Sequence, residues 1–108
     1  APADIAVAML RKALDAFARL DVNMSAEVVR QDREVDAGFK AAMRQLITFM
    51  MEDPRTISSS LDLLFIARSI ERIGDHAKNI SEYVVYLVKG RDVRHIGLEA
   101  MEKEVAAR

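Results

Sequence analysis

Two stretches of this chain set carboxylates one helical turn apart. Asp32-Arg33-Glu34-Val35-Asp36 and Glu71-Arg72-Ile73-Gly74-Asp75 each carry acids at i and i+4. That spacing stacks the side chains on one helical face, where like charges repel by roughly 0.2–0.5 kcal/mol per pair. A cation held between the two carboxylates would offset the repulsion, because hard metals take oxygen ligands and one helical turn spaces them suitably. Asn79, one turn beyond Asp75, continues the line with another oxygen donor. On a helical wheel Glu71, Asp75 and Asn79 point away from the apolar stripe through Ile73 and Ile80, so they are expected on an open face. Asp32 and Asp36 fall at the edge of their own helix's stripe. The candidate metal ligands are Glu71 and Asp75, with support from Asn79 and, across the bundle, from Asp32 and Asp36.

The competing reading is a solvated acidic face balanced by Arg33, Arg68, Arg72 and Lys78, since charged pairs at three- and four-residue spacing are common on ordinary helices. Spacing alone leaves both readings open. Gly74 is harder to dismiss, because glycine inside a helix costs about 1 kcal/mol relative to alanine, and close approach by a neighbouring helix or ligand would explain it. His76 adjoins Asp75 on a different face, where a surface role is at least as good a reading as ligation. His95 lies beyond the helix and adds little.

Catalysis has no carrier in this inventory. Gly-rich phosphate loops, the His-Glu-x-x-His zinc motif and the nucleophile elbow are all missing from the sequence. Carboxylate-bridged di-iron bundles need Glu-x-x-His on two helices, and none occurs; Asp92-x-x-His95 has the spacing but follows Gly90. The chain has no cysteine, which excludes thiolate metal sites and cysteine nucleophiles. The expected protein is not an enzyme.

The elements that must hold these acids are helices. Ile5, Met9, Leu10, Leu14, Phe17 and Leu20 share one face of a first helix over about Asp4 to Leu20. Val28, Val35, Phe39, Ala42, Leu46 and Phe49 mark a second, ending near Glu52. Asp21 or Asn23 is the candidate cap between the two, although local sequence also allows an unbroken helix through Asp21. Asp53-Pro54 is the clearest boundary, with aspartate as N-cap and proline at the first helical position. From there Ile66, Ile70, Ile73, Ala77, Ile80, Val84 and Leu87 run to Lys89, and Gly90 supplies a left-handed C-cap. Three such helices with short connections give an all-α, antiparallel, up-down-up three-helix bundle over residues 1–90. Residues 91–108 are expected to form a charged tail, or a short helix around Leu98, Met101 and Val105 that docks elsewhere. The six methionines are expected as gap-fillers in the core.

Composition agrees with a single domain: 108 residues, 51% hydrophobic, enough for one core without metal or disulfide to hold it. The 16 basic and 17 acidic residues nearly cancel and do not cluster, which argues against nucleic acid. No signal peptide or transmembrane run is visible, and the first residue is not methionine, which suggests processing or excision from a longer chain. Cytoplasm is the expected compartment.

The run Leu63-Leu64-Phe65-Ile66-Ala67-Arg68-Ser69-Ile70-Glu71-Arg72-Ile73-Gly74-Asp75-His76-Ala77-Lys78-Asn79-Ile80 resembles the signature helix of the PhoU family. Gln31-Asp32-Arg33-Glu34-Val35-Asp36 on the preceding helix and Met51-Glu52-Asp53-Pro54-Arg55 between them resemble it too, so the likeness spans roughly Asp4 to Gly90. It implies two such repeats in a whole family member, of which this chain, with its Tyr86-Leu87-Val88-Lys89-Gly90 ending, looks like the second. It implies a regulator of phosphate uptake and phosphate-starvation signalling that contacts a phosphate ABC transporter and a membrane sensor histidine kinase. A homodimer is compatible with it. It further implies metal bound through Glu/Asp-x-x-x-Asp motifs, here Asp32 with Asp36 and Glu71 with Asp75. The cation is divalent or iron-type; among magnesium, manganese, iron and zinc, oxygen donors with few imidazoles favour the first three over a closed zinc site.

Overall fold

The computed structural model describes residues 2–90 and 97–106. Helix α1 spans Pro2–Arg19, α2 Val22–Glu52, α3 Ile57–Lys89 and α4 Gly97–Ala106. The first three form the up-down-up bundle, with α3 packed against both α1 and α2.

Each break has a local cause. Leu20 adopts φ 53°, a left-handed turn that ends α1 while the Asp21 N–H donates to Ala16 O at 2.9 Å. Asp21 then caps α2 by accepting from the Met24 N–H at 3.1 Å. At the second break Asp53 closes α2, and its carboxylate accepts from the Arg55 backbone N–H at 3.2 Å and from Arg55 Nε at 3.0 Å. Pro54 does not begin the α-helix directly. It opens a single 3₁₀ turn, Pro54–Thr56, from which α3 continues at Ile57. Gly90 takes φ 71° and its N–H donates to Tyr86 O at 2.9 Å, ending α3 as its position after Lys89 requires.

The core is concentrated at one end of the molecule. Met9, Ala13, Val28 and Ala77 pack together with Leu10, Val35 and Ile80 against them. A second cluster joins Ala26, Val29 and Val85 to Met101 and Val105 of α4, so the short helix lies on the same bundle. Small residues occupy the crossings, with Ala6, Ala16, Ser25 and Ser81 fully buried, which lets the backbones approach closely. Met9 and Met101 fill core space, whereas Met51 is 79% exposed and is no gap-filler.

The apolar stripes read from the sequence are longer than the core that covers them. Ile66, Leu87, Phe49, Leu14 and Phe17 are all exposed. At the far end the reason is length. α1 has 18 residues against 31 in α2 and 33 in α3, about 27 Å beside helices of nearly 50 Å. Beyond its start the α2–α3 pair lies open as an apolar groove of about 850 Å³, lined by Ile5, Phe39, Leu46, Phe49, Leu64 and Ile70 among others.

Candidate metal centre

Antiparallel packing of α2 on α3 brings the two acid pairs face to face. Asp36 and Glu71 act on one another across the interface, and one turn along it Asp32 confronts Gly74 and the charge of Asp75. Gly74 has a purpose in this register. A Cβ there would stand 3.1 Å from Asp32 Oδ1, tighter than ordinary contact, so the missing side chain lets the Asp32 carboxylate lie close against α3.

Burial grades the four acids. Asp32 is only 8% exposed, Asp36 and Glu71 are half-buried, and Asp75 is exposed. Burial, then the charges of Asp75, Asp36 and Glu82, pushes the Asp32 carboxyl above the usual carboxylate range, with Lys78 drawing it the other way. Burial also raises Glu71, aided by Asp75 and by Asp36 and opposed by Arg68. Both raised acids would give up protons more readily if a cation arrived.

Cations of the chain already stand nearby. Lys40 Nζ lies 3.2 Å from Asp36 Oδ2 and Arg68 Nη1 lies 3.6 Å from Glu71 Oε1. Among the described residues no three acids or imidazoles are yet grouped as a ready metal cage. The fit to a cation rests instead on the two acid pairs that α2 and α3 bring face to face and on a glycine that leaves room beside Asp32. Oxygen donors of this kind suit a hard cation.

Of the residues expected from sequence, Asp32, Asp36, Glu71 and Asp75 come together. Asn79 is exposed on the outer side of α3, as is His76. Asp92 and His95 lie outside the described residues. Sequence reasoning passed over Glu82, which is 5% exposed and lines a cleft with Asp32, Asp36 and Lys78. Four residues after Lys78 it reads as half of an ordinary surface ion pair; only α4 packing nearby reveals its burial.

The PhoU domain family matches residues 3–84 of this chain. The phosphate-specific transport system accessory protein PhoU homolog of Pseudomonas aeruginosa is 56% identical over 97 residues, covering 90% of this chain and 40% of that protein. The accessory protein PhoU of Escherichia coli (strain K12) is 49% identical over 102 residues, covering 94% and 42%. The crystal structure of PhoU from Pseudomonas aeruginosa superposes with a TM-score of 0.78 at 50% identity, covering 82% of this chain and 42% of that one. The chain thus spans about two fifths of the length of the relatives it matches. With the family's domain matched over most of its residues and its helices superposed on a solved member, this chain belongs to the PhoU family.

Proposed function

We propose that this domain regulates phosphate uptake and phosphate-starvation signalling by binding rather than by catalysis. It does so in the cytoplasm, through contacts with a phosphate ABC transporter and a membrane sensor histidine kinase, and it carries a divalent or iron-type cation on Asp32, Asp36, Glu71 and Asp75. The relatives' description as accessory proteins of phosphate-specific transport supports the first part. That no helix among the described residues is long and apolar enough to cross a membrane is compatible with a module that docks on membrane partners. A span of about two fifths of the relatives agrees with one repeat of two.

The observation that carries the metal assignment is the opposition of the two i,i+4 acid pairs across α2 and α3, with Gly74 hollowed out for Asp32. Exposed Asp75 and half-buried Asp36 can turn toward a cation without breaking the core. Asn79, one turn outward, adds an oxygen donor only at the rim. Added Mn²⁺ should raise the melting temperature by mass action, and the double change Glu71→Gln with Asp75→Asn should abolish that rise while leaving the metal-free fold intact. Equal stabilisation of variant and wild type would defeat the ligand assignment.

A second reading, a helical adaptor whose acids are merely solvated, is favoured by the Lys40–Asp36 and Arg68–Glu71 bridges, which already balance two of the four charges. It requires that no metal bind at all. A metal analysis of the purified chain, with binding to the kinase's cytoplasmic part as a second measurement, separates the two.

A further inference from the structure

Length explains the open groove at the far end, but not the apolar side chains left bare beside α1 itself. Val7, Leu14 and Phe17 of α1 and Tyr83, Tyr86 and Leu87 of α3 are each between 40% and 52% exposed. Phe17 stacks on Tyr83 with ring centroids 6.3 Å apart, and Tyr83 stacks on Tyr86 at 6.3 Å, so an aromatic row runs from α1 onto the outer face of α3. Both helices carry the spacing of a packing seam. On α1 Ala3, Val7, Leu10, Leu14 and Phe17 recur at alternating steps of four and three, and on α3 Ile73, His76, Ile80, Tyr83 and Leu87 recur at three and four. That is the heptad rhythm by which helices interdigitate at a crossing of about 20°. The first and third helices of an up-down-up bundle run parallel. With the Phe17–Tyr83 stack fixing their register, Leu14 lies level with Ile80 and Val7 with Ile73. Neither line carries an acid, a lysine or an arginine, and on α1 beyond it charge alternates in sign through Asp4, Arg11, Asp15 and Arg19. The short helix α4 leaves the seam bare, since it packs on α2 and α3 through Ala26, Val29 and Val85.

We propose that the α1–α3 seam is a self-association face, on which a second copy of this chain lays the same seam about a twofold axis. A seam without charge offers no anchor to an acidic or basic partner. What it fits is another pair of helices with the same rhythm, and a second copy brings one, two helices from each chain then packing as in a four-helix bundle. The area agrees. Three aromatic and three aliphatic side chains, each about half exposed, present roughly 500 Å² of apolar surface. The apolar share of a homodimer interface of standard size, about 800 Å² on each partner, is as large. Apolar patches of this extent on a folded chain mark places where something binds. Rings already stacked on one another also lose little freedom when covered, which lowers the cost of association.

Sedimentation velocity of the 108-residue chain from about 1 to 100 μM, with EDTA present so that no cation takes part, tests this on wild type, Leu14→Glu, Tyr83→Glu and Phe49→Glu. Wild type is expected to pass from monomer to dimer across that range. Leu14→Glu and Tyr83→Glu, both at exposed positions, should weaken the dimer at least tenfold by placing a charge in the covered seam. Phe49→Glu, in the open groove, should dimerise like wild type. The unmodified chain supplies a second measurement, because its two tyrosines both lie on this face and it has no tryptophan. Acrylamide quenching of tyrosine emission should therefore fall at least twofold in step with dimer formation. A wild type that stays monomeric overturns the proposal and leaves the seam to a partner of another kind. Dimerisation that survives both seam variants, that is lost in Phe49→Glu, or that leaves the tyrosines as open to acrylamide as before overturns it as well.

Discussion

Gly74 and Asp32 meet closely: a Cβ at position 74 on α3 would lie 3.1 Å from Asp32 Oδ1 on α2. Two effects oppose each other there. Alanine at 74 would gain about 1 kcal/mol of helix propensity over glycine, but it would push a nearly buried carboxylate aside. Gly74→Ala should therefore be neutral or destabilising in the wild-type background and stabilising by roughly 0.5–1 kcal/mol when Asp32 is already alanine. Urea denaturation of the four proteins in this cycle measures it. Equal effects in both backgrounds would mean that the two residues do not compete.

The pH dependence of the metal-free fold follows from the same cluster. Asp32 and Glu71 have folded-state values raised above their ordinary 3.8 and 4.5, first by burial and then by their acidic neighbours. A raised acid favours the fold when protonated, so its contribution is complete below about pH 4 and is lost as pH rises through the raised value. Asp32→Asn should melt higher than wild type at pH 7, with the difference shrinking toward pH 4. Asp53, lowered by its hydrogen bonds from Arg55, runs the other way, and what it contributes is lost as pH falls. A gain from Asp32→Asn that grows on acidification would contradict the assignment.

Leu20 holds φ 53° at the end of α1 with half of its side chain in solvent. A left-handed conformation costs a non-glycine residue roughly 1–2 kcal/mol, partly offset in a glycine replacement by the looser unfolded chain. Leu20→Gly should raise stability by roughly 0.5–1 kcal/mol, and Leu20→Val should lower it. Thermal unfolding that ranks glycine below leucine would show that the apolar contacts of Leu20 outweigh its backbone strain.

Large apolar residues should differ sharply in what they contribute. Met9 is fully buried between helices, and Met9→Ala should cost about 2–5 kcal/mol. Phe65, though inside the signature stretch of α3, is 74% exposed, and Phe65→Ala should change the stability of this chain by less than about 0.5 kcal/mol. Denaturation midpoints of the two variants check where the core sits.

The punctuation of the fold was legible because its signals are local. Asp53 and Gly90 cap or end helices through their own backbone geometry and nearest hydrogen bonds, which sequence encodes directly, whereas at Asp21 local sequence also allowed Asn23 as cap or an unbroken helix. The acid pairs were legible as pairs, and so was the need for close approach at Gly74. Which stripe residues are buried was not. Periodicity tells which way Ile66 and Phe49 point, but not whether a neighbouring helix reaches that far, and α1 does not. Glu82 escaped for a related reason, since a charged residue one turn from a lysine looks solvated until α4 is packed nearby.

The short reach of α1 also sets how the molecule should open. Every buried residue of α2 lies between Ser25 and Asp32, and those of α3, Ser60 aside, lie between Gly74 and Val85. The acid quartet sits at the edge of that region, and beyond it the long hairpin is two helices held by each other along an open groove. Local opening costs least where buried apolar contacts are fewest, so backbone amides from about residue 39 to 70 should exchange with deuterium well before those flanking Val28 and Val84. A cation bridging Asp36 and Glu71 would clamp the hairpin just where the protected part gives way. Slower exchange toward residue 39 on adding Mn²⁺ would then register the ion as a splint between two helices.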